Sequence, residues 1–234
     1  EPIPAGGGII VPPPGYFQRV QELCRKYEIL LHIDEVVCGL GRTGTWFGYQ
    51  QFDIQPDIVT MAKGVASGYA AISCCVTTNA VFEQFKDDTD PLSYFRDIST
   101  FGGCTAGPTA ALENLKIIED EDLCGNSTRM GDYLAGLNAQ MMEKHACIGQ
   151  TRGMGLFQGI ELVKDRETKE PLDEKQVIAI VADCMAQGVI VGATNRSVPG
   201  YNNTILFAPS LIATKDDLDH ITGAVDAAIT RIVS

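Results

Sequence analysis

Apolar residues recur at Tyr16, Phe17, Val20, Leu23 and Cys24, the spacing of one helical face, directly after the breaker Pro12-Pro13-Pro14-Gly15. That pattern predicts a helix over about Tyr16 to Tyr27. The run from Ile29 to Ile33 is apolar nearly throughout, as a strand buried on both faces of a parallel sheet would be. It is closed by Asp34. After Pro56, the run from Ile58 to Ala62 predicts a second buried strand ending at Lys63, and Ala71 to Thr77, rich in Ile, Val, Thr and Cys, a third. Ser99-Thr100-Phe101-Gly102-Gly103 reads as a turn into a helix around Ala106 to Glu119. The acidic run Glu119-Asp120-Glu121-Asp122 is expected to be a solvated helix end and marks a domain boundary. Beyond it the pattern predicts helices over Ser127–Lys144, Glu174–Gln187 and Lys215–Ile232. Strands are expected around Ile148–Thr151, Leu156–Leu162, Val189–Val191 and Thr204–Phe207. The first half, residues 1–119, is thus α/β, and residues 120–234 form an α+β unit.

Composition narrows the function classes. The net charge of −12 argues against nucleic acid or an anionic membrane as the main partner, because both call for basic patches. No apolar stretch approaches the roughly 18 residues of a membrane span, and no signal peptide is evident. The eight cysteines form no C-x-x-C and mostly lie in apolar segments, which suggests reduced thiols in a cytoplasmic protein. Three histidines without ligand spacing give no metal site. The sequence opens on a loop-like Glu1-Pro2-Ile3-Pro4-Ala5-Gly6-Gly7-Gly8 with no initiating methionine and is expected to be part of a longer protein.

The chemistry centres on Lys63 and Asp34, which close neighbouring strands. A lysine in a dry cleft loses its charge by desolvation, and its free amine can form a Schiff base. A carboxylate on the next strand can keep a pyridinium nitrogen protonated, and together the two suit pyridoxal phosphate. The competing motif is Gly39-x-Gly41-x-x-Gly44, a formal dinucleotide fingerprint. That fingerprint needs its glycines at an immediate strand-to-helix turn. Here Asp34 to Cys38 intervene, and Thr45-Trp46-Phe47-Gly48-Tyr49 makes a poor helix start. Neither G-x-x-x-x-G-K-[ST] nor G-x-S-x-G occurs.

Several linked segments resemble the class III aminotransferases, pyridoxal-phosphate enzymes of fold type I with the aspartate-aminotransferase-like fold. They are Glu1-Pro2-Ile3, Val11-Pro12-Pro13-Pro14-Gly15-Tyr16, Leu23-Cys24-Arg25-Lys26-Tyr27, Ile33-Asp34-Glu35-Val36, Gly39-Leu40-Gly41-Arg42-Thr43-Gly44, Pro56-Asp57-Ile58, Ala62-Lys63-Gly64 and Thr100-Phe101-Gly102-Gly103. A weaker match continues through Arg152-Gly153-Met154-Gly155-Leu156-Phe157 and Ala208-Pro209-Ser210-Leu211-Ile212. The resemblance implies that Lys63 carries the Schiff base and shuttles the proton, and that Asp34 pairs with the pyridinium nitrogen. It further implies that Val36 packs on one ring face and that Thr100 donates to the cofactor phosphate across a homodimer interface, in a dimer or dimer of dimers. Residues 1–119 would be the C-terminal part of the cofactor-binding large domain and 120–234 the small domain.

Departures from the family pattern bear on packing and substrate. Cys38 stands where threonine is common, Leu40 where phenylalanine is common, and Ala71-Ile72-Ser73 replaces Pro-x-Gly. Acetylornithine-type relatives carry an arginine before Phe-Ala-Pro that fixes a substrate carboxylate; Leu206 occupies that position. The chain therefore resembles the ω-amino acid or amine:pyruvate branch, in which a mobile loop arginine admits either a carboxylate or an apolar group. Arg196 is the candidate, whereas Arg152 is expected to be structural. The family's phosphate-cradling turn and second ring-stacking aromatic lie upstream of this sequence, so little transaminase activity is expected from it alone. The expected reaction moves an amino group from a small-molecule amine or ω-amino acid to a keto acid such as pyruvate. An aminomutase of the same family, or a catalytically silent fragment serving as an interaction module, are the alternatives.

Overall fold

Helix α1 (Tyr16–Lys26) begins where the proline run ends, with Gly15 turning the chain at φ 83°. Phe17 is its buried anchor and packs on Phe52, the ring centroids 5.0 Å apart. The helix closes with Glu28 in the left-handed region (φ 55°) while Ile29 N–H reaches back to Cys24 O at 2.8 Å, a Schellman closure. Strand β1 is consequently His32–Asp34, shorter and later than the apolar run suggests. The computed structural model describes residues 1–87, 89–90 and 92–233.

β1 runs parallel to β2 (Ile58–Met61), with His32 opposite Ile58, Ile33 opposite Val59 and Asp34 opposite Thr60. β3 (Cys74–Thr77) completes this first sheet, antiparallel to β2. Asp57 fixes its entrance. One carboxylate oxygen accepts Leu31 N–H at 2.8 Å, and the other pairs with Arg25 of α1 at 3.1 Å. Ile33 faces inward with Phe17, Leu31 and Ile54, whereas His32 and Asp34 face solvent. The second and third strands are less buried than a doubly covered sheet would be: β2 is half-buried along its length and most of β3 is exposed.

A short α2 (Asn79–Glu83) precedes α3 (Ala106–Asp120) and α4 (Leu123–Lys144). The acidic run is the exposed junction of these last two helices, and Asp122 caps α4 by accepting Gly125 N–H. α4 starts four residues before the expected Ser127. The second sheet has the order β4-β5-β7-β6, antiparallel throughout, from β4 (Ile148–Met154), β5 (Phe157–Leu162), β6 (Gly192–Ala193) and β7 (Thr204–Phe207). α5 (Glu174–Ala186) and α6 (Lys215–Val233) join α4 against it around Leu134, Ile160, Ile180, Ile205, Leu218 and Val225.

The amino-terminal segment crosses to this second sheet. Ile3 and Ile9 are fully buried with Cys38 and Phe157, beside Leu206. Arg152 holds the segment there, its Nε donating to Gly8 O and Ile9 O at 2.9 and 3.0 Å while the guanidinium pairs with Glu161. Arg152 is thus a structural staple, and Leu206 is a packing residue. Arg42 makes a second staple. It is half-buried, and its Nη1 donates to Leu156 O at 3.1 Å and Pro209 O at 2.5 Å, while Arg42 O accepts from Leu156 N–H and from the Ser127 hydroxyl. Burial pushes the Arg42 guanidinium down from its ordinary value, yet it remains a cation whose charge is met by carbonyl dipoles.

Candidate active site

The parallel ladder places Asp34 at the end of β1 on the rung of Thr60, and Lys63 follows two residues after β2 ends at Met61. The ladder extends one bond further, Glu35 N–H to Thr60 O at 2.8 Å. Asp34 Oδ1 accepts Val36 N–H at 2.9 Å, which folds the half-buried Val36 back beside the carboxylate. Lys63 opens a 3-10 turn (Lys63–Val65) with φ 41°, a left-handed conformation that is uncommon for a non-glycine residue. Two contacts hold that turn. Val65 is buried with Leu40 and Ala111, and Asn114 of α3 donates to Gly64 O at 2.7 Å and Val65 O at 3.1 Å.

Glu35, between Asp34 and Val36, is 1% exposed and carries a carboxylate. Its Oε2 accepts Gly48 N–H at 2.9 Å and its Oε1 accepts Tyr49 N–H at 2.8 Å, at the start of the 3-10 turn Gly48–Phe52. Burial pushes its carboxyl above the usual range, and the two backbone donors oppose that rise. The glycine motif Gly39–Gly44 lies between these anchors as a series of turns, with Leu40 N–H bonded to Trp46 O and Gly41 N–H to Thr45 O. The next helical element in the chain is the turn at Gly48, so these glycines do not open an α-helix of their own; the first turns of α4 pack on them from the side, Thr128 Oγ1 donating to Gly44 O at 3.2 Å. Cys38 is buried at this loop, and its thiol donates to Ile3 O at 3.4 Å, the bond a threonine hydroxyl would make. Burial pushes that thiol up to about 12, which leaves it a packing group rather than a nucleophile.

The residues singled out from sequence are therefore placed unequally. Asp34, Val36 and Lys63 share one end of the first sheet. Both charged side chains are exposed, so the described residues do not themselves form a dry cleft over Lys63. Thr100 lies exposed in the turn before α3, whose N-cap is Thr105 rather than Thr100. That turn borders an open cavity of about 910 Å3 lined by Ala71, Ser73, Ser99, Phe101, Cys104 and Pro108, among others. Arg196 is exposed on the loop between β6 and β7. Among the described residues no hydrogen bond links Thr100 or Arg196 to the strand end. Glu35 and Asn114, which shape the site, escaped the sequence reading because their work is done through backbone partners distant in sequence.

Comparison with known proteins places this arrangement. The family model for class-III aminotransferases matches residues 1–229. The hypotaurine/taurine–pyruvate aminotransferase of Paracoccus denitrificans is 69% identical over 234 residues, covering 99% of this chain and 51% of that protein. The taurine–pyruvate aminotransferase of Rhodobacter capsulatus is 65% identical, covering 100% and 51%. A crystal structure of a Bacillus anthracis aminotransferase superposes with a TM-score of 0.95 at 41% identity, over 99% of this chain and 51% of that one. The chain spans about half the length of the curated relatives it matches. Its α/β architecture is that of the fold type I transferases, and the chain belongs to the class-III aminotransferases.

Proposed function

We propose that this chain supplies the lysine-bearing half of a transaminase that moves the amino group of a short anionic ω-amine, taurine or hypotaurine, to pyruvate. The observation that carries the chemistry is the placement of Lys63 and Asp34 at the same end of the β1–β2 ladder. The donor set fits pyridoxal phosphate. Among the described residues the Lys63 amine has no hydrogen bond or ion pair, Asp34 bonds only to Val36 N–H, and Val36 offers an apolar surface beside them. The bound cofactor would supply an aldehyde that takes up the amino nitrogen and a ring that accepts electron density. Lys63 Nζ would hold the cofactor through that aldehyde and, once the donor's amine has displaced it and freed it as an amine, would move a proton at the donor's amine-bearing carbon. Asp34 would hold the ring nitrogen protonated, and Val36 would pack against the ring. The substrate class comes from the taurine–pyruvate relatives. Arg196 is the group proposed to meet the donor's sulfonate or sulfinate, since a guanidinium fork can donate two parallel N–H bonds to two oxygens of one anionic group.

A homodimer in the cytoplasm belongs to the same reading. Ile98 and Phe101, on either side of Thr100, are 90% and 85% exposed, which is consistent with a second chain covering that turn. All eight cysteines are free thiols. No helix among the described residues is long and apolar enough to cross a membrane.

The test is borohydride reduction of the chain after incubation with pyridoxal phosphate, followed by peptide mapping. A label on Lys63 is the expected result; a label confined to other lysines would overturn the assignment. Alanine formation from pyruvate and taurine is then compared between this chain and the enzyme completed to its relatives' length. The chain alone is expected to be nearly inactive, and equal activity of the two would show that the missing half is not needed.

A further inference from the structure

The loop from Ser197 to Asn202 hangs on a single side chain. Oε1 of Glu174, the first residue of α5, accepts Gly200 N–H at 2.7 Å, Asn202 N–H at 3.2 Å and Asn202 Nδ2 at 2.9 Å. Within the loop, Asn202 Oδ1 accepts Ser197 N–H at 2.9 Å, and Tyr201 N–H bonds to Val198 O at 2.9 Å. Among the described residues, every hydrogen bond that leaves segment 197–202 ends on that one carboxylate oxygen. Apolar packing does not replace it. Val198 and Tyr201 are 63% and 61% exposed, and the cavity of about 430 Å3 beside α5, lined by Glu174, Val177, Ile178, Ala193 and Thr194 among others, meets segment 197–202 only at Asn202. Arg196 immediately precedes Ser197, so the Glu174–Asn202–Ser197 relay sets where its side chain begins.

We propose that Glu174 is a positioning residue for substrate recognition: it tethers the β6–β7 loop so that Arg196 is held at a fixed reach toward an anionic donor. The inference rests on the reading of Arg196 given above. The same three donors hold the Glu174 carboxyl below the usual range, Asn202's side chain contributing most, so the tether is ionised under ordinary conditions.

The experiment uses Glu174→Ala, Glu174→Gln and Arg196→Ala. Amide hydrogen exchange is measured on the chain, and kinetics with taurine and pyruvate on the enzyme completed to its relatives' length. Glu174→Ala is expected to speed exchange at Gly200 and Asn202 by roughly tenfold, the loss of about one net hydrogen bond. It should also raise KM for taurine several-fold while kcat holds. Glu174→Gln keeps a carbonyl oxygen at Oε1 and should restore most of both effects, which a purely electrostatic role would not allow. Unchanged exchange at Gly200 and Asn202 in Glu174→Ala would overturn the tether. Faster exchange with an unchanged KM, while Arg196→Ala does raise KM, would overturn its positioning role. An unchanged KM in Arg196→Ala would remove the Arg196 assignment itself and the positioning role with it, leaving the exchange result to report on the tether alone.

Discussion

Asp34 stands opposite Thr60 on the last rung of the parallel β1–β2 ladder, and the chain beyond that rung must turn through Lys63 with a φ of 41°. A left-handed conformation costs an L-residue roughly 1–2 kcal/mol, and only glycine adopts it freely. The fold therefore spends stability at the one position where the proposed chemistry requires a lysine. Urea denaturation of Lys63→Gly and Lys63→Ala separates this strain from other effects of losing the side chain. The glycine variant should be the more stable of the two by about 0.5–1 kcal/mol, after its greater unfolded-state entropy is allowed for. Equal stabilities would mean the turn is not strained. Both variants should lose borohydride labelling at position 63.

The Glu35 clamp makes a second, independent prediction. Its two carboxylate oxygens each accept one buried backbone N–H, from Gly48 and Tyr49. Glutamine has the same shape but turns an NH2 toward one of those donors. Glu35→Gln should cost about 1–3 kcal/mol, the penalty for a buried donor without an acceptor. It should also weaken cofactor retention in the completed enzyme, because the clamp sets the loop on which Asp34 and Val36 sit. Wild-type stability in this variant would show that the loop is held by its other contacts.

How far the sequence disclosed this fold can be read from two near-misses that share a cause. The apolar runs after α1 and after α5 predict strands starting at Ile29 and Val189. In both cases that residue instead closes the helix behind it: Ile29 N–H bonds to Cys24 O at 2.8 Å and Val189 N–H to Cys184 O at 2.9 Å. The preceding residues, Glu28 and Gly188, are left-handed at φ 55° and 82°. Gly188 is the usual signal for such a stop, but Glu28 is not, since only tertiary context forces a glutamate into that conformation. Pairing then starts later, at His32 and Gly192. By contrast β7 falls on Thr204–Phe207 as expected, because its neighbours β5 and β6 pair with it directly. That Asp34 and Lys63 lie at the same end of the first sheet was legible because each closes its own apolar run and the two runs pair in parallel. Glu35, Asn114 and Glu174 were not, because each acts on backbone groups of a segment that only the fold brings near.

Close approach of α4 to the β4–β5 hairpin sets up a contrast between two glycines of one helix. A Cβ at Gly131 would lie 2.5 Å from the backbone of Gly155, while at Gly136 nothing lies within 4 Å. Gly131→Ala should therefore destabilise by about 1–3 kcal/mol through overpacking against backbone that cannot yield. Gly136→Ala, exposed in the helix interior, should stabilise by about 0.5–1 kcal/mol through helix propensity. Opposite signs in parallel thermal melts are the expected outcome. A destabilising Gly136→Ala would mean that this face of α4 is covered in the assembled protein.

The N-terminus of α6 carries a pH-dependent cap. Asp217 Oδ2 accepts both Thr214 N–H at 2.8 Å and the Thr214 hydroxyl at 2.7 Å, and Asp217 N–H returns a bond to Thr214 Oγ1 at 3.3 Å. The backbone bond from Thr214, then its hydroxyl, holds the carboxyl below the ordinary aspartate value, with His220 one turn on adding a smaller pull. A depressed folded-state value means the cap's stability is fully present above the unfolded value and is lost as pH falls through the folded one. α6 buries Leu218, Val225, Ala228 and Ile229 in the main core, so the cap should register in global unfolding. Asp217→Asn should thus melt below wild type at about pH 7, and the gap should close as the pH is lowered past the depressed value. A gap that stays constant with pH would place the effect in side-chain shape rather than in the carboxylate's charge.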